Sequence, residues 1–354
     1  MIQLSQIKKV LSGYDKKKIT IGVLGGHSAL DVCHGAKKLG FRTVAVCQKG
    51  RELTYSKYFK SRVGNNRKGI VDEVIIVEKF SDIAKDDVQE KLRKMNTIFV
   101  HNRYFWVYCD YKEIENKFLV PIFGTRDMVK LEERDVPKNQ YYLLGKAGIR
   151  IPKIFKSPKD IDRLVIVKVN EAQRKYERAF FLADSKSSFE KISKELIGKG
   201  KITAEDLKKA VIEEYVIGTY VNFNFFYSSL TNELELLGTD TRWQTNLDGF
   251  LRLTAEQQFL VKEFIKPSMI ETGHIAVTVK ESLLGKIFLL GEKFVSAVKK
   301  FHSTGGIIGP FALQGVIVAE DGKEDIVIFD VSLRIPGSPG TRFTPYSGYF
   351  MANQ

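Results

Sequence analysis

Short β-branched runs alternate with segments of helical spacing over the first hundred residues, and this alternation restricts the fold more than any other property of the 354-residue chain. Lys18–Leu24 reads KITIGVL, Thr43–Cys47 reads TVAVC, Glu73–Val77 reads EVIIV and Asn96–Val100 reads NTIFV, each the length of a strand. Between the first two, Ala29–Leu39 carries helical periodicity and stops at Gly40. Strands separated in this way by helices run parallel, with helices on both faces of the sheet. Residues 1–125 are therefore expected to form a doubly wound α/β domain that binds its ligands beyond the carboxyl ends of the strands. The first such end is Gly25-Gly26-His27-Ser28, where the free amides and dipole of the following helix favour an anion.

The remainder suits one or two further domains of roughly 100–150 residues. A helical stretch, Lys130–Ala147, leads into the turn Gly148–Pro152. Strand Leu164–Val169, polar segment Asn170–Arg178, strand Ala179–Ala183, helix Ser187–Leu196 and strand Ala210–Tyr215 follow, an α+β lobe. From Tyr220 onward long strands alternate with the helix Leu283–Phe301. The expected units are 1–125, 126–219 (the small lobe with its linker helix) and 220–354 (the large lobe).

Composition narrows the function. The formal charge is +14, but the lysines are dispersed among Glu and Asp rather than gathered in a tract, so no nucleic-acid partner is expected. The apolar runs are strand-sized, far short of the roughly 20 residues that span a bilayer, and the N-terminus reads as an amphipathic helix rather than a signal core. The expectation is a cytoplasmic homo-oligomer with no membrane partner. Cys33, Cys47 and Cys109 have no paired spacing and read as small buried apolar side chains.

Three motifs carry chemistry. Val211–Gly249 places the carboxylates Glu213 and Glu214 before Tyr215 and Val216, then sets Asn222 and Asn224 on one face of a strand that leads toward a polar loop, TRWQTNLDG. Backbone at Glu213–Val216 can read an adenine edge while a carboxylate reaches the ribose. Lys168 ends the apolar strand VIVK, where its ammonium can meet nucleotide phosphates. Finally, Gln314 and the alternating Asp330, Ser332 and Arg334 lie on two successive strands; their oxygens suit Mg²⁺ (or Mn²⁺) shared with phosphates and water, although a solvated outer face is the competing reading. Lysine, loop and EEYV in this order is the arrangement of an ATP-grasp enzyme.

Taken together, these motifs resemble the archaeal PurP family, ATP-grasp ligases that formylate aminoimidazole carboxamide ribonucleotide from free formate. The resemblance runs through LGGHSAL, IENKFLVPIFG, KAGIRIPK, VIVK, IEEYVIGT, FFYSSL, ELELLG, NLDG, ESLL and IIGPFALQ to the final Asp330, Ser332 and Arg334. It implies an ATP-grasp fold behind an N-terminal doubly wound domain, and C–N ligation through an acyl phosphate. It assigns Lys168, Glu213, Glu214, Tyr215, Val216 and Asn222 to ATP and Gln314 and Asp330 to the metal. His27, Ser28, Arg103, Tyr104 and Asn246 go to the aminoimidazole nucleotide, and Lys168, Arg178 and Arg334 to catalysis.

Departures from the family pattern keep other readings open. A glycine-rich flap, PGARGGRGYF, is replaced by the glycine-free NEAQRKYERAFF, in which Arg174, Lys175 and Arg178 can contact phosphate instead. VPHGSF becomes VHNRYF, with Tyr104 at the serine and Arg103 beside it; RYESN becomes RWQTN, with Gln244 at the carboxylate. These exchanges add positive and remove negative charge near the substrate. The alternatives are a ligase for a different small acid or amine, and a non-catalytic nucleotide-binding paralogue. The resemblance also implies a further helix after PYSGYF.

Overall fold

A computed structural model describes residues 1–62, 68–134, 136–169, 180–302, 305–320 and 322–337. The first sheet consists of β1 (Thr20–Leu24), β2 (Arg42–Gln48), β3 (Glu73–Val77), β4 (Thr97–Val100) and β5 (Ile122–Phe123). Its order is β3-β2-β1-β4-β5 and every pair is parallel. This is the doubly wound sheet that the strand–helix alternation predicts. The helix Ala29–Lys38 follows β1 directly, and Cys33, Cys47 and Cys109 are all buried free thiols.

A second, antiparallel sheet contains β6 (Ile154–Phe155), β7 (Val165–Lys168), β8 (Phe180–Ala183) and β9 (Val211–Glu214), in the order β6-β9-β7-β8. Val165, Val167, Phe181 and Ile212 turn to one side and form a small core with Phe189 of the helix Lys186–Gly198. Alternation sends Ile166, Lys168 and Glu213 to the other side.

The largest sheet holds β10 (Thr219–Ser228), β11 (Glu233–Asn246), β12 (Met269–Ala276), β13 (Gly309–Glu320) and β14 (Lys323–Ser332), ordered β12-β11-β10-β13-β14 and antiparallel throughout. Phe223, Phe225, Phe311, Leu313 and Ile328 line its core face against Ile287, Phe294 and Val298 of the helix Glu281–Phe301.

Two expectations are corrected. The stretch Lys130–Ala147 is not one helix: a 3-10 turn, Val129–Glu132, precedes a separate helix, Gln140–Lys146. Pro137 has no amide to continue a helical ladder, and Asn139 restarts one by accepting hydrogen bonds from the Tyr141 and Tyr142 amides. The new helix buries Leu143 and Leu144 in the core of the large sheet. TRWQTN is likewise not a loop but the end of β11, where Thr241, Trp243 and Thr245 favour the extended backbone that pairs with β12.

The doubly wound domain and the large sheet meet at specific bonds. Ser28 Oγ donates to Pro336 O at 2.6 Å and Thr125 Oγ1 to Gly306 O at 2.7 Å. Contact is so close at Gly337 that a Cβ there would lie 1.8 Å from His27 Nε2.

The Phe311 ring is fully buried between Phe225, at 5.3 Å, and Phe294, at 6.0 Å. Phe311→Ala is expected to lower unfolding free energy by about 3–5 kcal/mol, read from the urea midpoint at constant m-value.

Candidate active site

Register builds the site. Asp330 pairs with Gln314, Gln314 with Asn222, and Asn222 with Asp240, so four polar side chains stand in one row across β14, β13, β10 and β11. The row lies on the face opposite Phe223 and Leu313, as the two-residue period of a strand requires. A buried carboxylate is tolerated only with donors around it, and donors on β10 and β12 reach Asp240. Asn222 Nδ2 donates to Oδ1 at 2.8 Å, Asn224 Nδ2 to Oδ2 at 2.6 Å, and His274 Nδ1 lies 2.6 Å from Oδ1.

One end of the row reaches the second sheet. Lys168 and Glu213, both buried, form a direct ion pair, and Lys168 Nζ lies 3.5 Å from Phe329 O and 5.5 Å over the Phe329 ring. Burial lowers the Lys168 pKa against the pull of Glu213. The other Glu213 oxygen accepts from the Tyr141 hydroxyl, Arg134 Nε approaches that hydroxyl at 3.4 Å, and Arg134 Nη2 reaches Asp330 Oδ1 at 3.2 Å. A continuous polar chain therefore joins Lys168 to Asp330.

The opposite end reaches the doubly wound domain. Arg242 Nη2 donates to Gln314 Oε1 at 2.5 Å, and its Nε lies 3.1 Å from Glu271 Oε2. Glu271 Oε1 is 3.1 Å from His274 Nε2 and 3.8 Å from His27 Nε2. The His27 ring stacks nearly parallel to Tyr104 with centroids 6.2 Å apart, and Tyr104 closes over Gly26, where a Cβ would meet its ring at 2.1 Å. Arg334 Nη2 lies 3.5 Å from Glu132 Oε2, while Leu333 N donates to Glu132 Oε1 at 2.6 Å. Burial, followed by the charge of Arg334, lowers the pKa of Arg103.

The two histidines differ in charge although their rings are 6.4 Å apart. Burial opposes protonation of His274, but its bonds to Asp240 and Glu271 outweigh this and raise its pKa to about 9. Burial, with Arg334 next, lowers that of His27 to about 4. Glu271 stays ionised despite burial, through the His274 bond and the Arg242 charge.

Of the residues singled out from sequence, Lys168, Glu213, Asn222, Gln314, Asp330, His27, Arg103, Tyr104 and Arg334 fall along this polar layer. Ser28 is bound to Pro336 at its edge. Glu214 occupies the other face of β9, bound to Lys153 N and Arg163, and is not brought to Lys168. Tyr215 N donates to Leu164 O and Val216 O accepts from the Tyr220 hydroxyl, which fixes the backbone between β9 and β10. Asn246 is tied at the far end of the β11–β12 hairpin to Ser268 and Lys266. Arg174, Lys175 and Arg178 lie outside the described residues.

Sequence reasoning missed Arg134, Tyr141, Asp240, Arg242, Glu271 and His274. Gln244 faces Glu271 across the ladder, so a carboxylate stands one strand away from the position where the family pattern has one. The expected loss of negative charge from this region is offset.

Gln314 and Asp330 present an amide and a carboxylate oxygen side by side, a hard-oxygen pair suited to a divalent ion completed by phosphates and water. Both oxygens already face positive charge, on Arg242 and Arg134. Among the described residues no group of three or more His, Cys, Asp or Glu forms a protein-only cage. The residues fit a shared ion.

The three-sheet architecture and this layer define the fold class as ATP-grasp. An IMP biosynthesis protein PurP from Thermococcus kodakaraensis shares it with a TM-score of 0.66 at 24% identity, over 94% of this chain and 91% of that one. An ADP complex of N5-carboxyaminoimidazole ribonucleotide synthetase shares it with a TM-score of 0.58 at 11% identity, over 95% and 73%. Two family models match, described as a protein of unknown function, DUF1246, at residues 21–155, and a domain of unknown function, DUF1297, at residues 188–354. The 5-formaminoimidazole-4-carboxamide-1-(beta)-D-ribofuranosyl 5'-monophosphate synthetase of Methanocaldococcus jannaschii is 40% identical over 349 residues, 98% of this chain and 91% of that protein. The synthetase of the same name from Methanopyrus kandleri is 39% identical over 348 residues, 98% and 91%. The chain belongs to this synthetase family, the PurP family of ATP-grasp ligases.

His274 gains stability from its charged form, a contribution complete below its ordinary pKa of 6.5 and lost as pH rises through about 9. Imidazole NMR is expected to show His274 still protonated at pH 7.5 and His27 neutral. The drop in stability between pH 6.5 and 9 is expected to be smaller in His274→Gln than in the parent.

Proposed function

We propose that this protein joins formate to the amine of 5-aminoimidazole-4-carboxamide ribonucleotide, with ATP cleaved to ADP and phosphate. The observation that carries this reading is the polar layer that runs from Lys168 past Asp330 and Gln314 to His27, in a chain 40% identical to a named synthetase over 98% of its length. The proposed units are 1–125, 126–219 and 220–354, with ATP between the latter two and the aminoimidazole nucleotide against the first. A reaction fed by ATP and a purine precursor belongs in the cytoplasm.

In the proposed mechanism the formate oxygen attacks the γ-phosphorus of ATP, ADP leaves, and formyl phosphate results. The aminoimidazole nitrogen then attacks the formyl carbon, phosphate departs, and the nitrogen loses a proton. Lys168, kept in place by Glu213, meets phosphate oxygens and supplies positive charge where the γ-phosphoryl group transfers. Gln314 and Asp330 are the proposed holders of Mg²⁺ or Mn²⁺, which when bound neutralises charge on the phosphates. Arg103 and Arg334 place a second positive region toward His27. Tight closure over the layer would be required, because water competes for an acyl phosphate.

Tyr104 over Gly26, with Arg103 half-buried beside it, favours a second reading in which the same chemistry serves another acid or amine. One assay separates them. With ATP, Mg²⁺, formate and the aminoimidazole nucleotide, ADP release is expected to match formylated product mole for mole. Release only with other acids or amines would support the second reading, and nucleotide binding without any release would contradict both.

Lys168→Met is expected to lower kcat on the order of 100-fold or more, in steady-state ADP release. Chelation by EDTA is expected to abolish turnover, with Mg²⁺ or Mn²⁺ restoring it.

A further inference from the structure

Glu271 is built into the site more elaborately than an ordinary ion pair needs. Its Oε1 meets His274 at 3.1 Å, and its Oε2 meets Arg242 at 3.1 Å. Behind His274 stands Asp240, itself fixed by Asn222 and Asn224. Side chains from β10, β11 and β12 thus converge to set the position of one carboxylate. Yet the Glu271 side chain keeps 23% of its surface exposed, and His27, with 24%, adjoins it at 3.8 Å.

This is too long for a hydrogen bond between the two, which leaves the partly exposed Glu271 Oε1 able to accept an N–H besides that of His274. The neighbouring Arg103, Arg242 and Arg334 are donors only and cannot receive an N–H. Glu132, the next carboxylate, is directed to Leu333 N and Arg334, while Asp240 is fully buried. A primary amine must present its lone pair to the acyl carbon, which is best achieved when its two N–H bonds are held by acceptors facing away from that carbon.

Resting on the reaction proposed above, we infer that Glu271 accepts a hydrogen bond from the nucleophilic amine and orients it. His274 and Asp240 act as the positioning pair behind it. Phosphoryl transfer is assigned to the Lys168 end of the layer, so these three are expected to affect it less than they affect attack by the amine.

The test separates the two half-reactions in Glu271→Gln, Glu271→Ala and His274→Gln. Acyl phosphate formation is followed without the amine nucleotide, by trapping with hydroxylamine in the presence of ATP, Mg²⁺ and formate. The complete reaction gives kcat and KM for the amine nucleotide. In the Glu271 variants KM for the amine nucleotide is expected to rise roughly 10–100-fold, with kcat reduced. His274→Gln shows the same pattern to a lesser degree, and hydroxamate formation stays within about twofold of the parent in all three. Intact hydroxamate formation also reports that each variant is folded. An unchanged KM for the amine nucleotide, or an equal fall in both half-reactions, would overturn the inference. A parent protein that forms neither hydroxamate nor ADP would instead sink the reaction itself, and the inference would fall with it.

Discussion

Lys168 buried against Glu213 is the interaction on which the site depends. An ammonium with only a few per cent of its surface exposed survives there because a carboxylate, a backbone carbonyl and the face of Phe329 surround it. The pair is continued by Tyr141 and Arg134 to Asp330, so charge and hydrogen bonds connect the second sheet to the large one. Such a join has exchangeable partners: the cations that now face Asp330 and Gln314 are arginines, and phosphates with a divalent ion can enter the same circuit.

The large sheet supplies the other half of the account by keeping two chemistries on two faces. Phenylalanines and aliphatic residues pack on the helix Glu281–Phe301, and the polar row Asp330, Gln314, Asn222 and Asp240 faces the site. A one-residue slip between β10 and β13 would exchange the faces, so the burial of Phe223, Phe225 and Phe311 also sets the alignment of Asn222 with Gln314. Core and site are specified by the same register.

Much of this was legible in the sequence. Short β-branched runs at β1 to β4, separated by helical spacing, gave a parallel sheet because each strand is followed by a helix or connection that carries the chain back. VIVK singled out Lys168 because a lysine closes an otherwise apolar strand, and DVSLR singled out Asp330 because it alternates with Ser332 and Arg334. The missing part is instructive. Glu271 and His274 are three residues apart, which in a regular strand puts them on opposite faces. A bulge in the β11–β12 ladder pairs Trp243 with Gly273 and Gln244 with Glu271, so Thr272 is the extra residue and both side chains turn to the site. Alternation alone cannot reveal that. Arg134 and Tyr141 were hidden for another reason: they lie in a segment read as one helix, and Pro137 divides it.

The central claim is that a triphosphate lies between Lys168 on one side and Gln314 with Asp330 on the other. A crystal structure with Mg²⁺ and a non-hydrolysable ATP analogue tests it most directly. The account predicts phosphate oxygens on Lys168, with the ion held by Gln314 and Asp330 after Arg242 and Arg134 have released them. A nucleotide bound elsewhere, with the Arg134–Asp330 and Arg242–Gln314 contacts intact, would contradict it.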